Sequence, residues 1–418
     1  MSAGSARYVV ILLTAINLLN YIDRYLPSAV KDLFKDDLHL TDFQTSLPFT
    51  AFVLVFVVAS PIFGSLADTY SRKKLIAIGV AIWSLATAGA AFAWNFPLFF
   101  AARALVGIGE AAYATIAPAL ISDLYPAAKR NRVLTIFYVA IPIGSAIGFG
   151  IGGFIGSHFG WRIAFLLAGI PGLFVAALAL FMSEPRRGQF DKKQKKEKAP
   201  TWPSALKALR KNRVYLATVA GYTLVMFAAG GIAEWFPTFL VRHRGYTTEE
   251  AGFSVGMVMI VAGIGGTAAG GILGDKLVGR TRHPYLALAG FAMIPATIFA
   301  TATLFVKSHW AITACLFTAQ FFAWFYNGPI NTVLVNSVPA NLRARAFSLS
   351  ILSTHVFGDA ISPPVIGFIS DHGGGLWLAL GLIPLMLALG TVVWLVAWRF
   401  LPEQPDAHIP RETAQALV

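Results

Sequence analysis

The chain has 418 residues, 56% hydrophobic and 13% charged, with a mean hydropathy of +0.66 and a net charge of +13. Soluble globular domains carry about 25% charged residues, so this composition excludes an ordinary soluble domain. The positive balance does not point to nucleic acid either: residues 184–213 hold eleven Lys/Arg against three Asp/Glu, and a basic loop between apolar runs is what membrane topology requires.

Twelve apolar runs follow one another along the chain, roughly 8–30, 43–67, 74–94, 97–123, 132–157, 161–182, 214–241, 248–274, 284–306, 309–337, 344–370 and 375–400. Runs of about 20 residues are long enough to cross a hydrocarbon core of about 30 Å as helix, and helices satisfy their own backbone there. The first run has no small-residue cleavage site behind it; Asp23-Arg24-Tyr25 stands there instead, so it reads as a first membrane helix and not as a removed signal. Within it, Asn17, Asn20 and Arg24 share one helical stripe with Asp23 beside it.

The second run ends in Gly64-Ser65-Leu66-Ala67-Asp68 and passes into Arg72, Lys73 and Lys74. The eighth ends in Gly271-Ile272-Leu273-Gly274-Asp275 and passes into Lys276 and Arg280. Pro126 with Arg130 and Arg132 is likewise echoed by Pro339 with Arg343 and Arg345. Repetition at about half the chain length predicts two similar halves of apolar spans with a transport site between them. The expected division is 1–183, a basic linker 184–213, and 214–418 with a short C-terminal tail. Within the linker, Pro203–Arg210 reads either as a short surface helix or as a solvated tether. The Lys/Arg bias puts both termini and the linker on the cytoplasmic side; Lys31, Lys35, Arg162, Arg242, Arg244 and Lys307 fall on the other, with acids around them.

Ionisable groups at membrane depth are costly and usually face a cavity or a partner. The fourth run carries Arg103 and Glu110, seven apart and so on one face about 10 Å apart along the axis. The seventh carries Glu234 after Gly230-Gly231; the tenth carries Gln320, Trp324, Asn327 and Asn331 on one stripe; the eleventh carries His355 and Asp359. At about 1.5 Å per residue Asp23 and Arg103 lie nearly level. Asp23 therefore pairs with Arg103 or Arg24, either as a static pair or as a proton-coupling device in which protonation frees an arginine. Either arginine also suits an anionic headgroup. Glu110 is a second proton site or a hydrogen-bonded neutral acid. Trp324 is the expected acyl-chain contact in an aromatic-rich run.

Gly252-Phe253-Ser254-Val255-Gly256 matches a hydrolase nucleophile pattern but lies inside an apolar run, not at a strand–turn–helix. No His/Cys cluster has metal spacing, and the single cysteine, Cys315, permits no internal disulfide. The reading is of a transporter without metal or cofactor, and not of an enzyme.

Gly64–Lys73 resembles the signature loop between helices 2 and 3 of the major facilitator superfamily, with Ser71 in place of the usual glycine. Arg103-x-x-x-Gly107-x-Gly109 resembles its helix-4 motif, and the glycines Gly144, Gly148, Gly152 and Gly153 are similar to its antiporter-type motif, with a different glycine–proline order. Asn20–Tyr25, Gly107–Tyr113 and His355–Pro363 resemble the spinster family. The resemblance implies an all-α fold of twelve transmembrane helices in two pseudo-symmetric six-helix bundles, with spans 1, 4, 7 and 10 lining a central cavity. It implies proton-coupled export, by alternating access, of an amphiphilic anion such as a lysophospholipid or sphingosine-1-phosphate. Asp23 and Glu110 are then the proton-coupling residues; Arg24, Arg103, Asn20, Tyr113, Glu234, Trp324, Asn327 and Asn331 bind substrate. Asp68, Arg72, Asp123, Asp275 and Arg280 gate, with Arg72 paired to Asp123 and Asp68 near the start of span 11. A carrier of another class, for a drug, an organic anion or a sugar phosphate, stays open, as does a non-transporting lipid receptor. The expected setting is a monomer in a bacterial inner membrane, with no nucleic-acid partner.

Overall fold

A computed structural model describes residues 3–187 and 201–401. Among these residues there is no strand. Most of the basic run within the expected linker, 188–200, lies outside the described residues.

The helices in chain order are α1 (Ala3–Ala29), α2 (Lys31–Asp37), α3 (Asp42–Thr69), α4 (Arg72–Ala90), α5 (Phe96–Leu124), α6 (Ala127–Phe159), α7 (Trp161–Leu180), α8 (Trp202–Lys211), α9 (Arg213–Arg244), α10 (Thr248–Leu277) and α11 (Pro284–Phe305). They continue as α12 (His309–Ala323), α13 (Asn327–Asn336), α14 (Arg343–Thr354), α15 (Ser362–His372), α16 (Leu376–Ala379) and α17 (Leu382–Phe400). Local chemistry sets the starts. Thr41 and Gln44 form a capping box at α3, and Asn95 accepts the Leu98 N–H at α5, where Pro97 occupies a position needing no donor. Gly160, at φ +85°, turns the chain from α6 into α7.

Ten helical segments among the described residues are long and apolar enough to span a membrane, and they coincide with ten of the twelve predicted runs. The other two runs are helical but interrupted. The tenth is α12, a 3₁₀ turn Trp324–Tyr326, and α13; the eleventh is α14, a π turn His355–Asp359, and α15. Proline explains both breaks. Pro329 has no N–H for the carbonyl of Phe325, and Pro363 has none for that of Asp359, so the i→i−4 ladder re-forms with a different step. α2 lies between the first two of the twelve runs and is not one of them. α8 answers the open question at 203–210, because Ala205 and Leu209 are buried against Tyr215, Leu334 and Ala346.

By contact, the described chain falls into two compact units. The first holds residues 3–187 with Gly230–Ile260 and Ala360–Ala379; the second holds 201–229, Val261–Asp359 and 380–401. In the first unit α4 packs on α5 and α7, α3 on α5, and α1 on α6. Small residues make this possible: a Cβ on Gly79 of α4 would lie 2.7 Å from the Gly109 carbonyl of α5. Along α6, Gly144, Gly148 and Gly152 meet Leu18, Ile22 and Leu26 of α1 in turn, and Gly156 meets Val30 just past its end, one glycine per helical turn. The apolar core runs through Leu13, Val80, Ile116 and Phe137, with a second cluster of Phe34, Phe99, Trp161 and Phe165. In the second unit α11 packs on α12 and α17.

Candidate functional site

α1 directs its polar stripe into the first unit. Asn17, Asn20 and Asp23 are almost fully buried, and so are Arg103 and Glu110 on α5. Four charges meet there as two pairs. Arg103 Nη1 lies 3.1 Å from Asp23 Oδ1, while the Thr87 hydroxyl of α4 donates to Asp23 Oδ2 at 2.6 Å. Arg24 Nη2 lies 2.7 Å from Glu110 Oε2. Of the two arginines open to Asp23 in the sequence, the fold gives it Arg103. Such pairs persist in an apolar interior only because each charge has its counterion; removing one partner strands the other.

The pairs differ in their surroundings. Asp23 is used at both oxygens. Around Arg24 and Glu110 some bonding capacity is unspent: Asn20 Nδ2, Arg24 Nε and Glu110 Oε1 are buried without a hydrogen-bond partner. The Arg24 guanidinium is flanked by the rings of Tyr21 and Phe52, 4.8 and 4.9 Å from their centroids. Buried groups left unsatisfied are uncommon, and here two of them belong to one ion pair and the third stands one helical turn before Arg24 on α1.

Tyr113 is completely buried, with its hydroxyl donating to the Leu13 carbonyl of α1 at 2.5 Å and its ring against Trp83 and Phe137. Glu234 does not face open water. Its carboxylate meets Lys31 Nζ at 2.6 Å and the Ser28 hydroxyl at 2.5 Å. Lys31, read from the sequence only as one of the charges on the side opposite the linker, is thus a buried residue.

Of the expected gating residues, Arg72 and Asp123 come together at 2.6 Å. Glu184, absent from the sequence-derived set, joins them. Its Oε1 accepts from the Arg72 backbone N–H at 3.0 Å, and its Oε2 from the Ser71 hydroxyl at 2.8 Å. Burial alone would raise the Glu184 pKa, but these bonds and the Arg72 guanidinium hold it below the ordinary carboxylate range. Asp68 and Arg280 are exposed. Asp275, also exposed, accepts from Tyr285 at 3.0 Å.

In the second unit Trp324 lies on the 3₁₀ turn, half-buried, with its indole against Gly263 of α10. Asn331 donates to the Asn327 carbonyl at 2.6 Å, and Asn327 reaches Thr267 at 3.5 Å. His355 and Asp359 form an i,i+4 pair at 2.9 Å inside the π turn.

Membrane-length helices that bury carboxylate–guanidinium pairs define a polytopic membrane protein. Comparison with known proteins narrows the class. The sequence profile of the Major Facilitator Superfamily matches residues 13–358. The chain is 35% identical over 376 residues to Protein spinster of Drosophila melanogaster, an alignment covering 87% of this chain and 62% of that protein. It is 30% identical over 433 residues to the "Probable sphingolipid transporter spinster homolog 1" of Arabidopsis thaliana, covering 93% and 87%. The crystal structure of a bacterial homolog to human lysosomal transporter Spinster, in an inward-facing and occupied conformation, superposes with a TM-score of 0.84 at 22% identity, over 96% of this chain and 98% of that one. The chain belongs to the Major Facilitator Superfamily and, within it, to the spinster family. It is an integral membrane transporter and not an enzyme.

Proposed function

We propose that the chain exports an amphiphilic anionic lipid, a lysophospholipid or a sphingosine-1-phosphate-like molecule, by proton-coupled alternating access. The observation that carries this reading is the trio of unspent atoms at Asn20, Arg24 and Glu110. Two are donors, the Asn20 amide and the Nε of the Arg24 guanidinium, a set that suits a phosphate oxygen. The third is a carboxylate oxygen able to take a proton.

Exchange is the mechanism. A proton on Glu110 cancels the charge that holds Arg24, and the guanidinium turns its fork to the anionic headgroup with Asn20 donating beside it. Departure of the anion returns Arg24 to Glu110 and favours loss of the proton. Asp23 works the same way on Arg103, with Thr87 fixing the carboxylate. Tyr113 positions α1 through Leu13 and does not touch substrate. Trp324 is the acyl-chain contact, with Asn327 and Asn331 as polar partners. Arg72 and Asp123 gate, together with Asp68, Asp275 and Arg280. The chain is read as a monomer of two six-helix halves, 1–183 and 214–418, in a bacterial inner membrane with both termini cytoplasmic; the Lys/Arg distribution supports that orientation. The sphingolipid named for the Arabidopsis relative favours a lipid over a sugar phosphate.

The test is release of a labelled lysophospholipid from proteoliposomes with and without a pH gradient. The expected result is gradient-dependent flux in the wild type, lost in Asp23→Asn. A folded wild type without flux overturns the substrate class, and full pH dependence in Asp23→Asn overturns the coupling role.

A further inference from the structure

Glu234 is held at both oxygens by residues about 200 positions earlier in the chain. The side chain of Lys31 is 0% exposed and that of Glu234 4%. The Lys31 ammonium also sits 3.7 Å over the ring of Trp235. Trp235 is itself fully buried, and its indole N–H donates to the Pro363 carbonyl at 3.0 Å. One lysine thus ties the start of α2 to α9 and, through Trp235, to the first turn of α15. All these residues belong to the first unit.

The charges facing the pair come from five elements. Asp32 of α2 and Asp42 of α3 are both bound by Arg242, two turns further along α9, and Asp42 also holds Lys35 at 2.6 Å. Arg24 of α1 and Arg103 of α5 line, together with Glu234, a cavity with room for about one water molecule. The Arg242 pairs are partly exposed, so each is weak alone. The Lys31–Glu234 pair is sealed, so it depends on both charges being present. Burial pushes the Lys31 ammonium below its usual pKa, and Glu234 is the main group opposing that.

A proton on Glu234 would leave Lys31 cationic over an aromatic ring with its nearest counterion gone. The ammonium would then have to reach water or the Asp32–Asp42 group, and α2 would have to leave α9 to let it. We propose that Glu234 is a proton-accepting latch, distinct from Asp23 and Glu110: proton uptake on its carboxylate releases Lys31 and frees the Gly230–Arg244 part of α9 from α1 and α2. The inference rests on the reading of the chain as a proton-linked carrier and reassigns Glu234 from substrate contact to conformational control. The shared cavity supplies the link to the anion site. Arg24, Arg103 and Glu234 line that one cavity, so an anion bound to either arginine changes the charge that faces the Glu234 carboxylate.

The test needs no substrate. In reconstituted full-length protein carrying Cys315→Ser, spin labels at Asp36→Cys on α2 and His243→Cys on α9 report their separation as pH falls from about 8 to about 5. Both positions are exposed. The expected result is a longer-distance population that grows on acidification, already present at pH 8 and pH-independent in Glu234→Gln, and retained in Asp23→Asn. Ser28→Ala serves if Glu234→Gln fails to fold. Removing the hydroxyl that stabilises the carboxylate should raise the midpoint by about one pH unit. An unchanged midpoint in Ser28→Ala, a wild type insensitive to pH, or a normal transition in Glu234→Gln overturns the proposal. So does loss of the transition in Asp23→Asn with retention in Glu234→Gln. Absent lysolipid flux with an intact distance change would instead sink the substrate reading and leave the latch standing.

Discussion

The polar stripe of the first unit and that of the second are built from different chemistry. α1 and α5 bring together Asp23, Arg24, Arg103 and Glu110, four full charges in two pairs. The α12–α13 run carries Gln320, Trp324, Asn327 and Asn331, with no full charge among them. A carboxylate–guanidinium pair can be undone by one proton; an amide cannot. On the proposed function the two stripes divide the labour: the first responds to protons and anions, and the second offers shape and neutral hydrogen bonds on a helix interrupted by a 3₁₀ turn.

The largest expected effect is Asp23→Asn, which strands Arg103 in an almost sealed site. It should destabilise the protein by about 3–5 kcal/mol, seen as a lower melting temperature in detergent, besides abolishing gradient-driven flux. Glu110→Gln should cost less, about 1–3 kcal/mol, because Arg24 is partly exposed and keeps its aromatic neighbours. A larger loss in Glu110→Gln than in Asp23→Asn would reverse the ranking of the two pairs. In the second unit, Trp324→Ala should weaken apparent lysolipid affinity about tenfold, roughly 1.4 kcal/mol, without moving the pH profile of flux. A shifted profile would break the division of labour between the stripes. The smallest effect is expected at Glu184, whose pKa is depressed in the folded protein. Its contribution is present above the ordinary glutamate pKa of about 4.3 and is lost as pH falls through the lower folded value. Wild-type melting temperature should thus fall more steeply below about pH 4 than that of Glu184→Gln, and parallel curves would remove Glu184 from the Arg72 cluster.

Much of this was legible in the residues. Apolar run length marked the spans, and simple depth arithmetic brought Asp23 level with Arg103, which the fold pairs at 3.1 Å. The Arg72–Asp123 pair came from family resemblance and not from spacing. Lys31 was hidden because it stands among Asp32, Asp36 and Asp37 between two apolar runs and counted only as a topology charge. A signal was present all the same: Lys31 and Phe34 share a stripe of α2, and both are buried. Thr87 and Glu184 were hidden for a different reason. Each is an unremarked residue whose meaning lies wholly in a partner that only folding supplies. The interruptions at Trp324–Tyr326 and His355–Asp359 could have been read from Pro329 and Pro363, since a missing N–H frees the carbonyl four residues before it.

The glycine row of α6 has a mechanical consequence. Gly144, Gly148 and Gly152 offer α1 no protruding side chain at three successive turns, so beyond the Asn17 amide, which donates to the Phe137 carbonyl at 3.0 Å, nothing interlocks the two helices along this row. Asp23 is carried by α1, while its partners Thr87 and Arg103 belong to α4 and α5, which pack closely at Gly79 and Gly109. A shift of α1 by one helical rise, about 1.5 Å, directed along the line of the contact would carry the 3.1 Å ion pair beyond contact. The pair is in effect a vernier: it turns a displacement smaller than an atom's diameter into the presence or absence of a charge contact.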